Sequence, residues 1–220
     1  MLQKEGAATL AATTGWERYI APDYDFADFP AGSHVLDVGF GGGDEIRAVL
    51  RRGCKAIGVE YDDGLARCGR AAGLAVCRAA AEHLPFASGS FDGLMCKVVI
   101  PYTDQAKAIE EIARVLRPGG IGRVAYHGLG YSWRYLFTGS NWKRRLYGAR
   151  TIVNTHVYRL TGRRLPGFWG DTVYQAPGVL REYYRRAGLE LIEEHLSPRF
   201  AGAPVFIYHT VRRSDHNAVT

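Results

Sequence analysis

The apolar positions of the chain fall into two kinds of pattern, short continuous runs and longer segments with helical spacing. The runs predict seven strands, at 33–39, 55–60, 74–78, 91–99, 122–127, 189–195 and 205–211. The helical spacing predicts helices over 44–52, 62–72, 105–116 and 177–187. Because strands and helices alternate, we expect an α/β fold with a doubly wound, seven-stranded, mainly parallel, Rossmann-like sheet.

Two segments depart from this rhythm. Residues 1–30 mix alanine, threonine and aromatics and end in Asp-Phe-Pro-Ala-Gly, which predicts a helical lead-in followed by a turn. Residues 129–175 are rich in glycine, arginine and aromatics and show no sustained period. No helix with a clear apolar stripe is therefore expected in this insertion, which follows the fifth strand. We expect one domain over 1–220.

Composition and charge narrow the class of protein. The chain is 47% hydrophobic, which is ample for a core, but its apolar runs fall far short of the roughly 20 residues that cross a bilayer. The N-terminal residues lack the apolar stretch of a secretory signal. The four cysteines form no C-x-x-C pair, so we expect reduced thiols, a cytoplasmic protein and no metal site. The net charge of +6 is unevenly placed, since 112–170 holds eleven Lys or Arg and no Asp or Glu.

A glycine-rich loop carries the first chemical signal. The segment Asp37-Val-Gly39-Phe-Gly41-Gly-Gly43 follows the first predicted strand and opens a helix. Glycines there let the backbone turn sharply and approach a ligand closely. An acid before the first glycine repels a pyrophosphate but suits an ammonium group, or amides that hold one. Glu60, at the end of the next strand, could accept both hydroxyl protons of a ribose, or could merely cap the helix at Asp62.

Four segments then resemble the class I methyltransferases, closest to the type 11 small-molecule group: VLDVGFGGG (35–43), GVE (58–60), AEHLPFASGSFDGL (81–94) and RVLRPGGIGRV (114–124). The resemblance covers about 33–128 and implies S-adenosyl-L-methionine as cofactor. It assigns Asp37, Gly39, Gly41 and Gly43 to the methionine part, Glu60 to the ribose, Tyr61, Ala81 and Glu82 to the adenine, and the segment from Cys96 to Val98 to the sulfonium.

Two positions depart from the family pattern. Ala80 stands where family members often carry an Asp that binds the adenine amine, so Glu82 or backbone groups replace that contact, or the affinity is weaker. Phe40 stands where the family often has Cys or Ala. Its ring is expected either to pack on the cofactor or to lie at the surface.

The insertion carries the signals for an acceptor. It lies where family insertions often cover the active site, and eleven aromatics fall between Tyr126 and Tyr174. An aromatic, acid-free cover predicts an acceptor with a flat or greasy part and a carboxylate, sulfate or phosphate, although the aromatics could also form a small core of their own. The candidate acid or base residues are His127 and Tyr102, which follow strand ends, and the candidate substrate contacts are Tyr131 and Arg134.

Four functions are compatible with these signals. The first is methyl transfer to an oxygen or nitrogen of a small, anionic or aromatic metabolite, with a general base only if the acceptor is a hydroxyl or a protonated amine. The second is the same chemistry on RNA or a lipid-linked acceptor, suggested by Trp142-Lys-Arg-Arg145. The third, a nicotinamide-dependent oxidoreductase, is disfavoured by Asp37 and by Leu116-Arg-Pro-Gly-Gly120. The fourth is cofactor binding without catalysis, which Ala80 leaves open.

Overall fold

The computed structural model describes residues 24–215. The strands are β1 His34–Val38, β2 Lys55–Glu60, β3 Val76–Arg78, β4 Phe91–Lys97, β5 Leu116–His127, β6 Leu189–Leu196, β7 Arg199–Phe200, β8 Ala203–Pro204 and β9 Phe206–Arg213. The helices are α1 Asp44–Arg51, α2 Asp63–Ala71, α3 Gln105–Val115, α4 Leu129–Thr138, α5 Trp142–Thr161 and α6 Pro177–Ala187, with 3₁₀ turns at Ile100–Tyr102 and Gly167–Trp169.

Seven of the strands in the described residues form one sheet, in the order β3-β2-β1-β4-β5-β9-β6. β9 is antiparallel to both of its neighbours, and the other pairings are parallel. The predicted α/β, Rossmann-like, mainly parallel sheet is therefore confirmed. The strand order reverses where β1 lies between β2 and β4, and a crevice at the carboxyl ends of these strands is where such sheets bind ligands.

The central strands are apolar on both sides because helices or aromatic side chains cover both faces of the sheet. Leu36 and Val38 of β1 face the main core cluster, which includes Ile109 and Ile112 of α3. Val35 faces the opposite cluster, where aromatic side chains that precede β1 pack. A strand buried on both faces has a continuous apolar run, which explains why the sequence pattern located β1 correctly.

Helix starts follow local side-chain chemistry. The Asp62 carboxylate accepts a hydrogen bond from the Leu65 N–H at the start of α2. The Asp104 carboxylate accepts one from the Lys107 N–H at the start of α3. Each carboxylate pairs a backbone donor that has no partner within its own helix. These caps fix where the two helices begin, at the same edge of the sheet as the glycine loop.

β5 begins earlier than the sequence predicted. Phe91 pairs with Leu116, whereas Gly93 pairs with Ile121, so the Arg-Pro-Gly-Gly segment bulges out of the ladder. Gly119 has a φ of 73°, a conformation that glycine adopts without strain. This bulge therefore lies within the strand pairing of β4 and β5.

The insertion differs from its prediction. Residues 129–175 contain α4 and α5, although the sequence shows no sustained period there. The buried face of α5 is polar, so its apolar positions do not mark a side that faces the core. Gly148 of α5 lets the backbone of α4 approach, because a Cβ there would lie 2.5 Å from the Ser132 carbonyl oxygen.

The predicted N-terminal lead-in, residues 1–30, lies outside the described residues up to position 23; residues 24–30 contain a turn and no helix. Between residues 24 and 215, no helix combines the length and the apolar character that a bilayer crossing needs.

Candidate active site

The glycine loop presents open backbone at the carboxyl end of β1. Gly39, Gly41 and Gly43 have φ values of 75°, 53° and 81°, which L side chains rarely adopt. A Cβ at Gly42 would meet nothing within 4 Å, and one at Gly41 would meet only the Gly39 carbonyl oxygen, at 3.8 Å. A ligand can therefore lie directly against the loop backbone between these two residues.

Asp37 supplies a buried carboxylate beneath this loop. Its Oδ2 has no hydrogen-bond partner within residues 24–215. Burial raises the pKa of Asp37 to about 7, with Glu45 and Glu60 adding to the rise and Lys97 opposing it. A buried carboxylate oxygen without a partner is costly, and an ammonium group or an N–H donor would relieve that cost.

Glu60 braces the loop from the neighbouring strand. Its Oε2 accepts from the Gly41 N–H and its Oε1 from the Asp62 N–H, each at 3.0 Å. Each oxygen keeps a second acceptor site, so the carboxylate can also receive a pair of hydroxyl groups. Tyr61, the next residue, is 72% exposed and free to contact a flat ring.

The segment predicted to line the adenine is tied to the start of α3. Ala81 is buried, and the Oε1 of Glu82 accepts from the Asp104 N–H at 2.9 Å. The Glu82 carboxylate therefore has one oxygen engaged by the backbone, and Ala80 beside it is half-buried. This arrangement supports the segment at the crevice without the aspartate that family members often carry.

Cys96 requires a correction. Its side chain is completely buried in the main core cluster, and burial raises the pKa of the thiol to about 12. The two residues after β4 are half-buried, Val98 against the aromatic cluster that precedes β1 and Val99 against the main core. Val98 has a φ of 61°, a genuine outlier for a β-branched residue, and such strain clusters at functional sites. Val99 packs on Gly39, where an added Cβ would lie 2.1 Å from its Cγ2.

Phe40 is buried, so the expectation that its ring lies at the surface is wrong, whereas its contact with the cofactor stays a prediction. The ring is buried beneath the loop, in a cluster with Ile46, Ala66 and Val76. Gly69 of α2 leaves the space that the ring fills, since a Cβ there would lie 2.5 Å from it. The Phe40 ring therefore supports the glycine loop from below.

An aromatic wall stands at the carboxyl end of β5. The His127 ring stacks on Tyr131 with 3.6 Å between centroids, and Tyr102 approaches it edge-on at 6.1 Å. Further rings continue the wall, namely Tyr135, Tyr147 and Phe206. Burial lowers the pKa of His127 to about 3, so the imidazole is neutral at pH 7. The structure thus brings together three of the four predicted catalytic and substrate residues.

Tyr102 and Arg134 occupy the more open part of this wall. Tyr102 is 39% exposed, and its hydroxyl lies 3.4 Å from that of Tyr147. Arg134 lies one turn beyond Tyr131 on α4 and is half-buried. The predicted role of Arg134 as a substrate contact stays a prediction.

Sequence reasoning missed Arg150. This side chain is 3% exposed and donates to the Asp171 carboxylate at 2.6 Å. Its guanidinium carbon lies 4.8 Å from the Tyr147 ring centroid and 4.0 Å from that of Phe168. Nε and Nη1 have no hydrogen-bond partner in the part of the chain that the structure describes. The only available signal was that Arg150 belongs to the acid-free stretch, which it shares with ten other basic residues.

The crevice fits a cofactor that has a cationic amino-acid end and a ribose. The unpaired oxygen of Asp37 suits an ammonium group, the open loop suits a closely packed chain, and Glu60 suits two hydroxyls. Glu45 and Glu60 act on the Asp37 carboxylate beneath the loop, and Lys97 partly offsets them. The field of these carboxylates favours a ligand of positive charge.

Comparisons with known proteins agree with this geometry. Residues 36–124 match the family model described as "Methyltransferase domain". An uncharacterized methyltransferase of Mycobacterium bovis is 32% identical over 117 residues, 52% of this chain and 48% of that protein. A malonyl-[acyl-carrier protein] O-methyltransferase of Dechloromonas aromatica is 29% identical over 178 residues, 80% of this chain and 59% of that protein. The chain thus spans about half the length of these curated relatives.

Among solved structures, an S-adenosylmethionine-dependent methyltransferase of Methanosarcina mazei superposes with a TM-score of 0.63. It is 16% identical, and the match covers 86% of this chain and 95% of that one. At that identity the likeness concerns the fold, and it agrees with the strand order described above. Residues 36–124 therefore match a methyltransferase domain, and the chain shares the fold of an S-adenosylmethionine-dependent methyltransferase.

Proposed function

We propose that this chain transfers a methyl group from S-adenosyl-L-methionine to an oxygen or nitrogen of a small, anionic or aromatic metabolite. One observation carries the proposal. The open glycine loop above the unpaired Asp37 carboxylate and the aromatic wall around His127 lie at the carboxyl ends of β1 and β5, the two strands that flank β4 in one sheet. We further propose that all of 1–220 forms one cytoplasmic domain, in which the insertion covers the acceptor.

The cofactor half of the site would hold and orient S-adenosyl-L-methionine. Asp37 and the backbone of Gly39, Gly41 and Gly43 would hold the amino-acid end, and Glu60 would hold the ribose hydroxyls. Tyr61, Ala81 and Glu82 would border the adenine. The bound cofactor supplies a methyl group that is activated by a sulfonium. Val98–Val99 would set how closely an acceptor approaches that group.

The acceptor half of the site aligns the nucleophile and excludes water, which is the main requirement of an in-line displacement. Tyr131 and Tyr147 offer flat surfaces for a ring, and Arg134 and Arg150 supply positive charge for an anion. A neutral His127 can accept a proton. It is a weak base at a pKa of about 3, which suits an acceptor that becomes strongly acidic as the methyl group arrives.

Titration calorimetry with S-adenosylhomocysteine and with NAD tests the cofactor assignment. We expect S-adenosylhomocysteine to bind and NAD to give no heat. The reverse result would favour a nicotinamide-dependent oxidoreductase and overturn the proposal. A panel of aromatic carboxylates then tests turnover, measured as release of S-adenosylhomocysteine. Tight cofactor binding with no acceptor turned over would favour a binding protein without catalysis.

With an acceptor in hand, His127→Phe tests the proton transfer while keeping a ring stacked on Tyr131. For a hydroxyl acceptor we expect kcat to fall roughly a hundredfold and KM to change little. His195→Phe is the matched control, because His195 lies on β6 away from the wall. Equal kcat in both variants would remove His127 from the reaction.

A lipid-linked or RNA acceptor is the second candidate. The start of α5 favours it, because Trp142 is 69% exposed beside Lys143, Arg144 and Arg145. The malonyl-[acyl-carrier protein] relative likewise carries a name that indicates a tethered acceptor. Turnover of a tethered acceptor in preference to the free acid would select this candidate.

A further inference from the structure

The buried face of helix α5 is mostly polar and its exposed face carries apolar side chains, which is the reverse of the usual arrangement. Its buried face consists of Gly148, Arg150, Thr151, Asn154 and Thr155. Its opposite face carries Trp142, Leu146, Ala149, Val153 and Leu160, which we call the outer stripe. Their spacing of four, three, four and seven residues places them along one side of a helix.

The outer stripe is exposed to a degree that is unusual for apolar side chains in series. Trp142 is 69% exposed, Val153 51% and Leu160 86%. Leu146 and Ala149 between them are half-buried. Isolated exposed apolar residues are common, but a contiguous row of them marks an interaction surface. The row runs along a 20-residue helix, about 30 Å in length.

Basic side chains flank the outer stripe and lack acidic partners. Lys143, Arg145 and Arg159 are exposed, and no carboxylate within residues 24–215 forms an ion pair with any of them. The sequence from 112 to 170 contains no Asp or Glu that could balance them. The outer stripe and its basic flanks are therefore complementary to a partner that is both apolar and negatively charged.

We propose that the outer stripe of α5 binds an anionic lipid surface, with the helix lying in the plane of the membrane. The apolar side chains enter the boundary of the acyl region, Trp142 sits at headgroup level, and the basic flanks contact the lipid phosphates. The sequence analysis expected no helix with a clear apolar stripe in 129–175, and the stripe becomes visible only once the bounds and the buried face of α5 are known.

Charge decides against a second copy of the chain as the occupant. A twofold dimer through this stripe would bring each basic flank against the same flank of the other copy. Like charges placed together oppose association. An anionic bilayer offers apolar depth and negative charge in one surface. The inference does not depend on the proposed function, because vesicle binding can be measured without an acceptor.

Co-sedimentation of the full chain with vesicles tests the proposal. One set of vesicles contains phosphatidylcholine alone, and the other contains equal parts phosphatidylcholine and phosphatidylglycerol. We expect at least tenfold stronger partitioning to the anionic vesicles, weakening steeply as salt is raised. No binding to the anionic vesicles would overturn the proposal.

The double variant Val153→Glu with Leu160→Glu locates the surface. It removes two apolar contacts and adds two negative charges, so we expect partitioning to fall roughly tenfold or more. Leu50→Glu with Ile192→Glu is the matched control, since these exposed apolar residues lie on α1 and β6. Equal losses in the two double variants would place the contact elsewhere and contradict the proposal.

Two control measurements and one replacement variant distinguish loss of the lipid contact from unfolding and from self-association. Binding of S-adenosylhomocysteine should be unchanged in both double variants, which shows that they are folded. If the glutamate variant fails to fold, Val153→Ser with Leu160→Ser replaces it with the same expected direction. Sedimentation without lipid detects self-association. A wild-type dimer that the stripe variant dissolves would show that a second copy covers the stripe and would overturn the lipid proposal.

Discussion

The sheet with its flanking helices and the insertion bury opposite kinds of side chain. In the sheet and its flanking helices, Leu36, Leu94 and Ile109 fill an apolar interior. In the insertion, α5 turns Asn154 and Thr155 inward and leaves Leu160 in solvent. The first region is stabilised mainly by apolar burial, the second by hydrogen bonds that pair backbone groups of a neighbouring segment.

The polar side chains on the buried face of α5 form hydrogen bonds with the backbone of the segment that follows the helix. Asn154 donates to the Thr172 carbonyl oxygen and accepts from the Leu165 N–H. The Thr155 hydroxyl accepts from the Tyr174 N–H. Residues 163–175 contain no long helix or strand, so their backbone groups need partners from elsewhere. The buried face of α5 provides them, and this segment then runs beside the carboxyl ends of β4 and β5 through Val173 and Gln175.

Phe40→Ala should give the largest effect and tests the apolar half of this comparison. The ring is buried beneath the glycine loop, and its loss leaves a cavity between α2 and β2. We expect the free energy of unfolding to fall by about 3–5 kcal/mol, measured by urea denaturation. Leu50→Ala, at an exposed position of α1, is the control and should change little. A loss below about 1 kcal/mol for Phe40→Ala would show that the loop does not rest on this ring.

Asn154→Leu should give the next largest effect and tests the polar half. Leucine has a similar volume but leaves the Thr172 carbonyl and the Leu165 N–H without partners. We expect a loss of roughly 2–4 kcal/mol in the free energy of unfolding, since each buried unpaired group costs about 1–3 kcal/mol. Val153→Ser, on the adjacent outer stripe, should stay within about 0.5 kcal/mol of the wild type. A more stable Asn154→Leu protein would show that the interior of the insertion is apolar in character after all.

The sheet could be predicted because its signals are local. Each buried strand is an apolar run, and caps such as Asp62 and Asp104 stand directly before their helices. The loop residues Gly39, Gly41 and Gly43 were found for the same reason, since positive φ values demand glycine whatever packs around them. Glu60 was found because the next strand must end beside the loop.

The rest of the site depends on contacts between distant parts of the chain. Nothing local distinguishes Cys96, which is completely buried, from Val98, which is half-buried and has a positive φ. Phe40 could be placed only by knowing that Gly69 leaves room for it. α5 was missed because the usual period of apolar positions presumes an apolar interior. Arg150 was missed because its place in the site depends on its contacts with Tyr147, Phe168 and Asp171.

Glu60→Ala tests whether the locally predicted site is the functional one. We expect S-adenosylhomocysteine affinity to weaken by roughly 1–3 kcal/mol in titration calorimetry, the usual cost of losing a hydrogen bond to a charged group. Asp63→Ala is the control, because this nearby carboxylate pairs with Arg67 and does not touch the loop. Unchanged affinity in Glu60→Ala would argue against a ribose at this strand end.

Asp37 imposes a pH dependence on stability, and its effect on ligand binding is the smallest change that we expect. Its pKa of about 7 lies above the ordinary value of 3.8, so the native state retains a proton that the unfolded state has released between these values. Stability should therefore fall as pH rises from about 4 to 7 and level off above that range. Asp37→Asn should remove this part of the slope in urea denaturation.

Ligand binding should respond in the opposite direction, because an ammonium group favours the ionised carboxylate. We expect S-adenosylhomocysteine affinity to rise by up to about tenfold, or about 1.4 kcal/mol, as pH increases through 7. Calorimetry in buffers of different ionisation enthalpy should detect the release of a proton on binding near that pH. Asp37→Asn should abolish both the release and the rise. Binding that is independent of pH in the wild type would mean that the unpaired oxygen of Asp37 faces no cation in the complex, and that the amino-acid end of the ligand is held by the loop backbone alone.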